Sequence, residues 1–447
     1  MKGPFQRREG DLNPGNHDRP PDMIPVSPSD VVRDARRFMT AGDLVQADAI
    51  LRNALARIPD AAELLYLRGV IASRQKDAAA AMDFLQAALA VRPDMVAAWL
   101  ALGHVRMRLG QFDAAARAYE QAVAYDPQSA DTHFNLGVVR RRLDDLPGAA
   151  RAFYAAWRRD PMLTDAPKAC VATLALWVRD APGAPRPVVH AIPASPRAVS
   201  VIVCSVDDVK AAHAAALYGR LFAGVRHEII AIRDAASLAE AYNRGLDRAT
   251  GDVVVLSHDD IEILAPDFAA RLFTHLRAYD VVGVVGSTRM TGPTPLWAGH
   301  PHLRGWITHH GPDSAGWHID LLDPRPVAGD VTVLDGVLLA ARQEVFASVR
   351  FDAEAFDGFH CYDIDWSHRA ALAGFRLAAA GDLQLVHSSG GRYDDLWQRY
   401  AERFCAKHCT GRTDPPPAPY YETIFRSRAE VESFFARLMQ LAAEQAG

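Results

Sequence analysis

Two acids stand side by side, Asp259 and Asp260, directly after a short apolar run, in the order Asp252-Val-Val-Val-Leu256-Ser257-His258-Asp259-Asp260. Adjacent carboxylates are costly to hold together unless a cation offsets them. A hard divalent ion with oxygen ligands does so, and it can bridge to a diphosphate. A turn with an Asp helix cap explains the same pair. A second cluster reads Tyr362-Asp363-Ile364-Asp365-Trp366 and precedes a predicted helix that runs to about Ala373, with Gly374 as its stop. One of these acids caps that helix, yet two spaced acids with His360 and Arg369 close by exceed what a cap requires. A third element, Gln384-Leu-Val-His387, is a strand ending in a His that is either structural or a ligand. The run Cys405-Ala-Lys-His408-Cys409 looks like half a metal site. Zinc needs about four ligands and no second pair matches, so a helix surface with a buried thiol is expected there. No Ser-His-Asp or reactive-Cys arrangement is evident.

Scaffolds hold such residues, and the pattern around them changes along the chain. Its 447 residues suggest two or three domains. Residues 1–27 are rich in Pro, Gly, Asp, Asn and Arg, lack periodicity and are expected to be disordered. Residues 28–180 carry a period of 34. Leu65, Gly69, Ala81, Leu85, Ala88 and Pro93 align with Trp99, Gly103, Ala115, Tyr119, Ala122 and Pro127. The next copy runs through His133, Gly137, Ala149, Phe153, Ala156 and Pro161, and a weaker first copy through Ala35, Ala47, Leu51 and Pro59. This is the tetratricopeptide period. Gly and Ala sit where two helices come close, large residues fill the gap between repeats, and Pro follows the second helix. A lone unit cannot bury its apolar face, so units stack. Residues 163–180 read as a capping helix. The all-α solenoid offers either a concave surface for a partner peptide or a spacer arm.

Residues 181–197 hold Pro182, Pro185, Pro187, Pro193 and Pro196 and read as a stiff linker. From 198 to 410 short β-branched runs alternate with helices. Val199–Cys204, Glu228–Ile232 and Asp252–Leu256 are strands, and Ala236–Ala249 is a helix. That alternation predicts an α/β domain with a mainly parallel sheet covered on both faces. Acids just past the carboxyl end of such a strand lie where these sheets bind ligands. Pro293 to Asp330, rich in Trp and His, reads as a mobile loop over the site. Residues 411–447 form an extension ending in an amphipathic helix, Ala429 to Ala446, expected to pack on the α/β domain.

A net charge of −5 is small for this length and argues against a nucleic-acid partner. The five cysteines, Cys170, Cys204, Cys361, Cys405 and Cys409, are odd in number and scattered, which fits a reducing cytoplasm. The N-terminus lacks the apolar stretch of a secretory signal. No segment approaches the roughly 20 apolar residues of a membrane span. A cytoplasmic protein is expected, with peripheral attachment at an inner membrane left open.

Taken together, Ser237-Leu-Ala-Glu-Ala-Tyr-Asn243-Arg-Gly245, His258-Asp259-Asp260, Asp335-Gly336, Phe351-Asp352, Gly358-Phe-His360, Tyr362-Asp-Ile-Asp365 and His387 resemble the family 2 type of bacterial glycosyltransferase with the GT-A fold. The resemblance covers roughly Val199 to His408, under half the chain. It implies a Rossmann-like α/β domain and an inverting transfer from a nucleotide-sugar donor to a hydroxyl of a glycan, lipid-linked or protein acceptor. It implies Mn²⁺ or Mg²⁺ bound by Asp260 and His387, with Asp259 on the ribose or metal shell. Ser205, Asp234, Asn243, Asp259 and Asp335 fall at positions the resemblance gives to the nucleotide sugar. His258 replaces the first acid of the family's metal motif. Asp363 is in the place of the acceptor-activating base. The family's Glu is missing beside it, so Asp365 remains a rival. In this scheme the metal offsets the charge of the departing diphosphate and the base takes the acceptor proton. The repeats would recruit acceptor or partner. A repeat scaffold with an inactive transferase-like domain is the alternative, and retention of all four acids speaks against it. A nucleotidyltransferase or hydrolase on a similar sheet fits the first motif but not the second.

Overall fold

The computed structural model describes residues 27–181, 191, 198–312, 314–389, 394–408 and 421–445. The predicted N-terminal disorder, nearly all of the Pro-rich linker and Cys409 lie outside the described residues. Contacts divide the chain into two compact units, Met1–Asp126 and Pro127–Gly447.

The first unit holds α1 (Pro28–Thr40), α2 (Leu44–Leu55), α3 (Ala62–Arg74), α4 (Ala78–Val91), α5 (Val96–Arg108) and α6 (Phe112–Tyr125). Helices pack in consecutive pairs, and the period explains how. A Cβ on Gly69 of α3 would lie 2.7 Å from the Leu85 side chain of α4, and one on Gly103 of α5 2.5 Å from the Tyr119 ring of α6. Only Gly permits that approach. The turns repeat as well. Gly42, Lys76 and Gly110 all take positive φ, and so does Asp144 in the second unit. The next residue begins the following helix. Asp43, Asp77 and Asp145 cap it by accepting from Gln46, Ala80 and Gly148 backbone N–H groups. Gln111, at the same place in the period, makes no such cap.

The second unit starts with α7 (Ala130–Arg142), α8 (Leu146–Arg159) and α9 (Asp165–Asp180). It continues with β1 (Val199–Cys204), α10 (Asp208–Leu221), β2 (His227–Ile232), α11 (Leu238–Arg248), β3 (Val253–Ser257), β4 (Ile261–Ile263) and α12 (Phe268–Ala278). Then come β5 (Val281–Gly283), β6 (Val285–Ser287), β7 (Leu303–His309), β8 (Trp317–Leu321), β9 (Val327–Val331), β10 (Val333–Leu334), β11 (Leu338–Arg342) and α13 (Gln343–Ser348). The last elements are α14 (Tyr362–Leu372), β12 (Leu377–Ala380), β13 (Leu385–His387), α15 (Asp395–His408), β14 (Tyr421–Phe425) and α16 (Arg428–Glu444).

The central sheet runs β2-β1-β3-β11-β5-β12-β9. It is mixed: β2, β1 and β3 are mutually parallel, as are β5 and β12, while β11 and β9 run against their neighbours. The parallel part is where the sequence reads as continuous Val/Ile runs. β11 is an equally apolar buried run, Leu338–Ala341, so hydrophobicity alone does not tell its antiparallel direction. A second sheet orders β10-β6-β7-β13-β4, with β8 on β7 and β14 on β8. The stretch from Pro293 to Asp330 is therefore not a loop over the site. It supplies β7, β8 and most of β9; Gly311, Gly316, Pro324 and Pro326 fall in the turns between them, while Gly305 and Gly329 lie within strands. Burial of Leu303, Trp306, Ile319 and Leu321 makes these strands part of the core.

The last repeat helices share that core. Trp157 of α8, Cys170 and Leu174 of α9, Trp306, Ile319 and Leu321 of the second sheet, and Phe434, Phe435, Leu438 and Leu441 of α16 form one buried cluster. Each such apolar side chain contributes roughly 1.5–3 kcal/mol on burial. Tyr154 Oη donates to the Pro324 carbonyl at 2.5 Å, and Arg151 Nε reaches Glu444 Oε2 at 2.7 Å. The C-terminal helix thus packs on the α/β domain, as its amphipathic pattern predicts, and on α9 as well. Among the described residues no helix is long and apolar enough to cross a membrane.

Candidate functional site

Buried β3 delivers the chain to Ser257, whose hydroxyl donates to the His258 carbonyl at 2.7 Å and turns the backbone out of the sheet. His258 and Asp260 follow, and β4 then pairs antiparallel with β13, setting Ile261 opposite His387. A bond from Ser388 N to the Asp260 carbonyl, 2.9 Å, continues that pairing. Register alone thus carries His387 to Asp260 across more than a hundred residues of chain. His387 Nε2 lies 3.3 Å from Asp260 Oδ1 and 3.3 Å from His258 Nδ1. Ligand atoms of His258, Asp260 and His387 all fall within 4.8 Å of one another.

The donor set fits a divalent ion. Burial first, then the neighbouring His387, pushes the His258 pKa down, which keeps its imidazole neutral and able to ligate. Burial would raise the Asp260 carboxyl, but the hydrogen bond and charge of His387 outweigh it and hold Asp260 well below the usual range. Tyr362 Oη contacts His258 Nε2 at 3.2 Å and fixes the orientation of the ring. Two imidazoles with one carboxylate suit a transition-metal ion better than Mg²⁺, which favours all-oxygen shells.

Asp363 and Asp365 lie in the first turn of α14 and face different surroundings. Asp363 lines a cavity of about 640 Å³ together with His258, Asp260, Asp335 and His387. Its Oδ2 accepts from Gly336 N at 2.7 Å. A Cβ on Gly336 would lie 2.6 Å from both the Asp363 Cβ and the Tyr362 hydroxyl, so only Gly allows the approach. Burial, then the nearby Asp335 charge, pushes the Asp363 carboxyl up to about 7. Asp365 is fully buried and absent from that lining. It meets Arg369 at 2.9 and 2.7 Å, Lys407 at 2.7 Å and His408 at 2.7 Å. Burial opposes ionisation there, but hydrogen bonds from His408, Arg369 and Lys407 prevail and hold the carboxyl down at about 2. Asp365 thus ties α14 to α15 and has no path to the cavity. His408 serves that tie.

The other expected positions are spread more widely. Of Ser205, Asp234, Asn243, Asp259 and Asp335, the last lines the cavity and the first four do not. Ser205 Oγ donates to the Asp207 carbonyl at 3.0 Å in the turn after β1. Asp234 pairs with Arg244 at 2.6 Å. Asn243 spends both amide atoms on the Phe351 backbone, at 2.9 and 3.2 Å, and ties α11 to that segment. Asp259 stands 3.8 Å from Lys210, which does line the cavity. Among the charged residues of the lining, Lys210 and Asp320 have no place in the sequence reading, and His309 enters it only as part of the Trp- and His-rich stretch. His309 and Asp320 lie in the stretch taken for a loop. The polar–apolar alternation of His318-Ile319-Asp320-Leu321, with Ile319 and Leu321 buried, is a signal for the strand that carries Asp320, while Leu303–His309 is buried almost throughout and gives no such alternation.

Fold and site define a repeat protein fused to a mixed α/β domain with an acid-and-histidine cavity at the carboxyl end of its parallel strands. Comparison with known proteins gives each part a family. Residues 200–408 match the glycosyltransferase-like family, and residues 33–99 and 100–162 match the tetratricopeptide repeat. The chain thus carries a glycosyltransferase-like domain behind tetratricopeptide repeats. No curated protein matches it. Similar solved structures include MamA 41-end from Desulfovibrio magneticus RS-1, 22% identical with a TM-score of 0.31, covering 34% of this chain and 85% of that one. Another is YrrB, titled a TPR protein with an unusual peptide-binding site, at 23% identity and a TM-score of 0.30, covering 33% and 76%. PilF of Pseudomonas aeruginosa is 18% identical with a TM-score of 0.32, covering 34% and 69%.

Proposed function

We propose that residues 200–408 transfer a sugar from a nucleotide-sugar donor to a hydroxyl of a glycan, lipid-linked or protein acceptor, with inversion at the anomeric carbon. One observation carries the reading: the His258–Asp260–His387 triad and Asp363 share one cavity. His258, Asp260 and His387 would hold a divalent ion, for which Mn²⁺ is the better match. Such an ion supplies neutralisation of the charge that develops on a departing diphosphate. Tyr362 keeps the His258 ring in place. Asp363 takes the proton from the acceptor hydroxyl. Its carboxyl, pushed up to about 7, is matched to proton transfer near neutral pH. Asp335 raises that basicity by its proximity. Asp365 is engaged by Arg369, Lys407 and His408 and does not line the cavity, which favours Asp363 over it as the base. The repeats serve to bring acceptor or partner protein to the chain.

Titration calorimetry with a panel of sugar nucleotides, with and without Mn²⁺, tests this. Metal-dependent heat with at least one donor is expected. Absence of any such heat sinks the reading in favour of a scaffold with an inactive domain.

A further inference from the structure

Asp320 is a cavity-lining carboxylate that sugar transfer, as argued so far, leaves without a task. It sits in the middle of β8, opposite Ile307 of β7 on one side and Glu422 of β14 on the other. A like charge directly opposite in an antiparallel ladder is unfavourable. Among the described residues no hydrogen bond reaches its carboxylate. His309 Nε2 lies 3.7 Å from it, an imidazole that burial pushes toward the neutral form, and the Asp320 side chain is 24% exposed. His309 Nδ1 is buried with no hydrogen-bond partner among the described residues. Burial, then Glu422, pushes the Asp320 carboxyl up to about 6. A carboxylate kept in such a place costs stability unless something donates to it. Its open side faces the cavity, where a ligand's hydroxyls could donate to it in place of water.

Strand register gives the corner its address. His309 of β7 lies beside His387 of β13 in the parallel pairing, with ring centroids 5.9 Å apart. Asp320 is therefore one side chain removed from the triad. Val285, Leu296, Ile307 and Leu322 line the same cavity. An acceptor-rich carboxylate against an apolar wall complements a sugar, which offers hydroxyls at its edge and C–H groups on its faces. A donor whose diphosphate is held at the triad carries its nucleoside on one side and its sugar on the other, and the anomeric carbon of that sugar must meet the acceptor at Asp363, in the cavity that Asp320 also lines.

We propose that Asp320, with His309 beside it, binds hydroxyls of the sugar carried by the nucleotide donor and so selects which sugar enters the cavity. The inference rests on the sugar-transfer reading above and adds a specificity-determining residue to it.

Calorimetry in Mn²⁺ tests it on the full chain, using UDP and GDP alongside UDP-glucose, UDP-N-acetylglucosamine and GDP-mannose. Asp320→Ala is expected to lower affinity for the preferred sugar nucleotide about tenfold or more, the size of a hydrogen bond to a charged group. Affinity for the matching nucleoside diphosphate should stay within about twofold of the native protein. Asp320→Asn, a near-isosteric second variant, should change the ranking among the sugars. Equal weakening of both ligand types, or no change in either, overturns the inference. So does unchanged donor binding with reduced transfer to acceptor, which would move Asp320 to the acceptor side. Failure of the native protein to bind any of these nucleotides sinks the sugar-transfer reading and this one with it. Native binding that Asp320→Ala leaves intact sinks this one alone.

Discussion

His258 Nδ1 and His387 Nε2 face each other at 3.3 Å beside the Asp260 carboxylate. A cation between the two rings would relieve that approach. We propose that the β4–β13 pairing holds these groups in place for an ion, and an ion that binds the folded state stabilises it. Adding Mn²⁺ should therefore raise the melting temperature, by the equivalent of roughly 2.7 kcal/mol at a hundredfold excess over Kd. Asp260→Asn and His387→Ala should each erase most of that rise in a thermal-shift assay. A Mn²⁺ response that persists in both variants places the ion elsewhere.

Asp363→Asn should keep donor binding and lose transfer by on the order of 10²–10⁴-fold, the usual contribution of a positioned base. Because the native carboxyl sits near 7 and must be ionised to accept a proton, transfer should rise with pH through about 7. Initial rates between pH 5 and 9 check this. A flat profile across that range removes Asp363 from the role.

Asp365 should behave as a structural anchor. Removing one member of a buried ion cluster costs roughly 3–5 kcal/mol, so Asp365→Ala should unfold far more easily in urea. The native carboxyl is held at about 2, below its unfolded value. Its stabilisation is present above the unfolded pKa and disappears as pH falls toward 2. Acid denaturation of the variant should lose part of the native protein's steepness there.

Asp320 has the opposite sign. Its folded pKa, about 6, is above the unfolded value, so ionisation is disfavoured in the folded state. Native stability should fall as pH climbs from about 4 through about 6. Asp320→Asn should match the native protein in stability near pH 3, below both pKa values, and be more stable at pH 7. Equal pH dependence of the two proteins would show that another group governs this window.

Gly103→Ala should destabilise the first unit by about 1–3 kcal/mol, because the new Cβ would lie 2.5 Å from the Tyr119 ring. Sugar-nucleotide binding, proposed here for the second unit, should be unchanged in calorimetry.

How much of this was readable beforehand follows from which interactions are periodic. The repeats were legible because one packing problem, Gly against a large side chain sixteen residues on, is solved again every 34 residues. The strands β1, β2 and β3 were legible as buried apolar runs, and Asp259-Asp260 as acids past the end of one. Pairing partners were not. No local signal says that β13 lies against β4, so the meeting of His387 with Asp260 rested on resemblance. Nor does spacing tell Asp363 from Asp365. Two residues on a helix differ by about 200° in direction, and Arg369, Lys407 and His408 decide which acid is engaged. Asn243 shows the converse, a polar residue in a telling motif that spends its hydrogen bonds on the Phe351 backbone.

The boundary between the two units, at Asp126–Pro127, falls inside the repeat array rather than after it. A truncation at residue 198, where the sequence pattern changes, would strip Trp157, Cys170 and Leu174 from the partners they are buried with and leave Phe434 and Leu438 facing water. A cut at Pro127 leaves that cluster whole. The last full repeat therefore belongs structurally with the α/β domain, and a fragment that begins at Pro127 keeps every partner of that buried cluster.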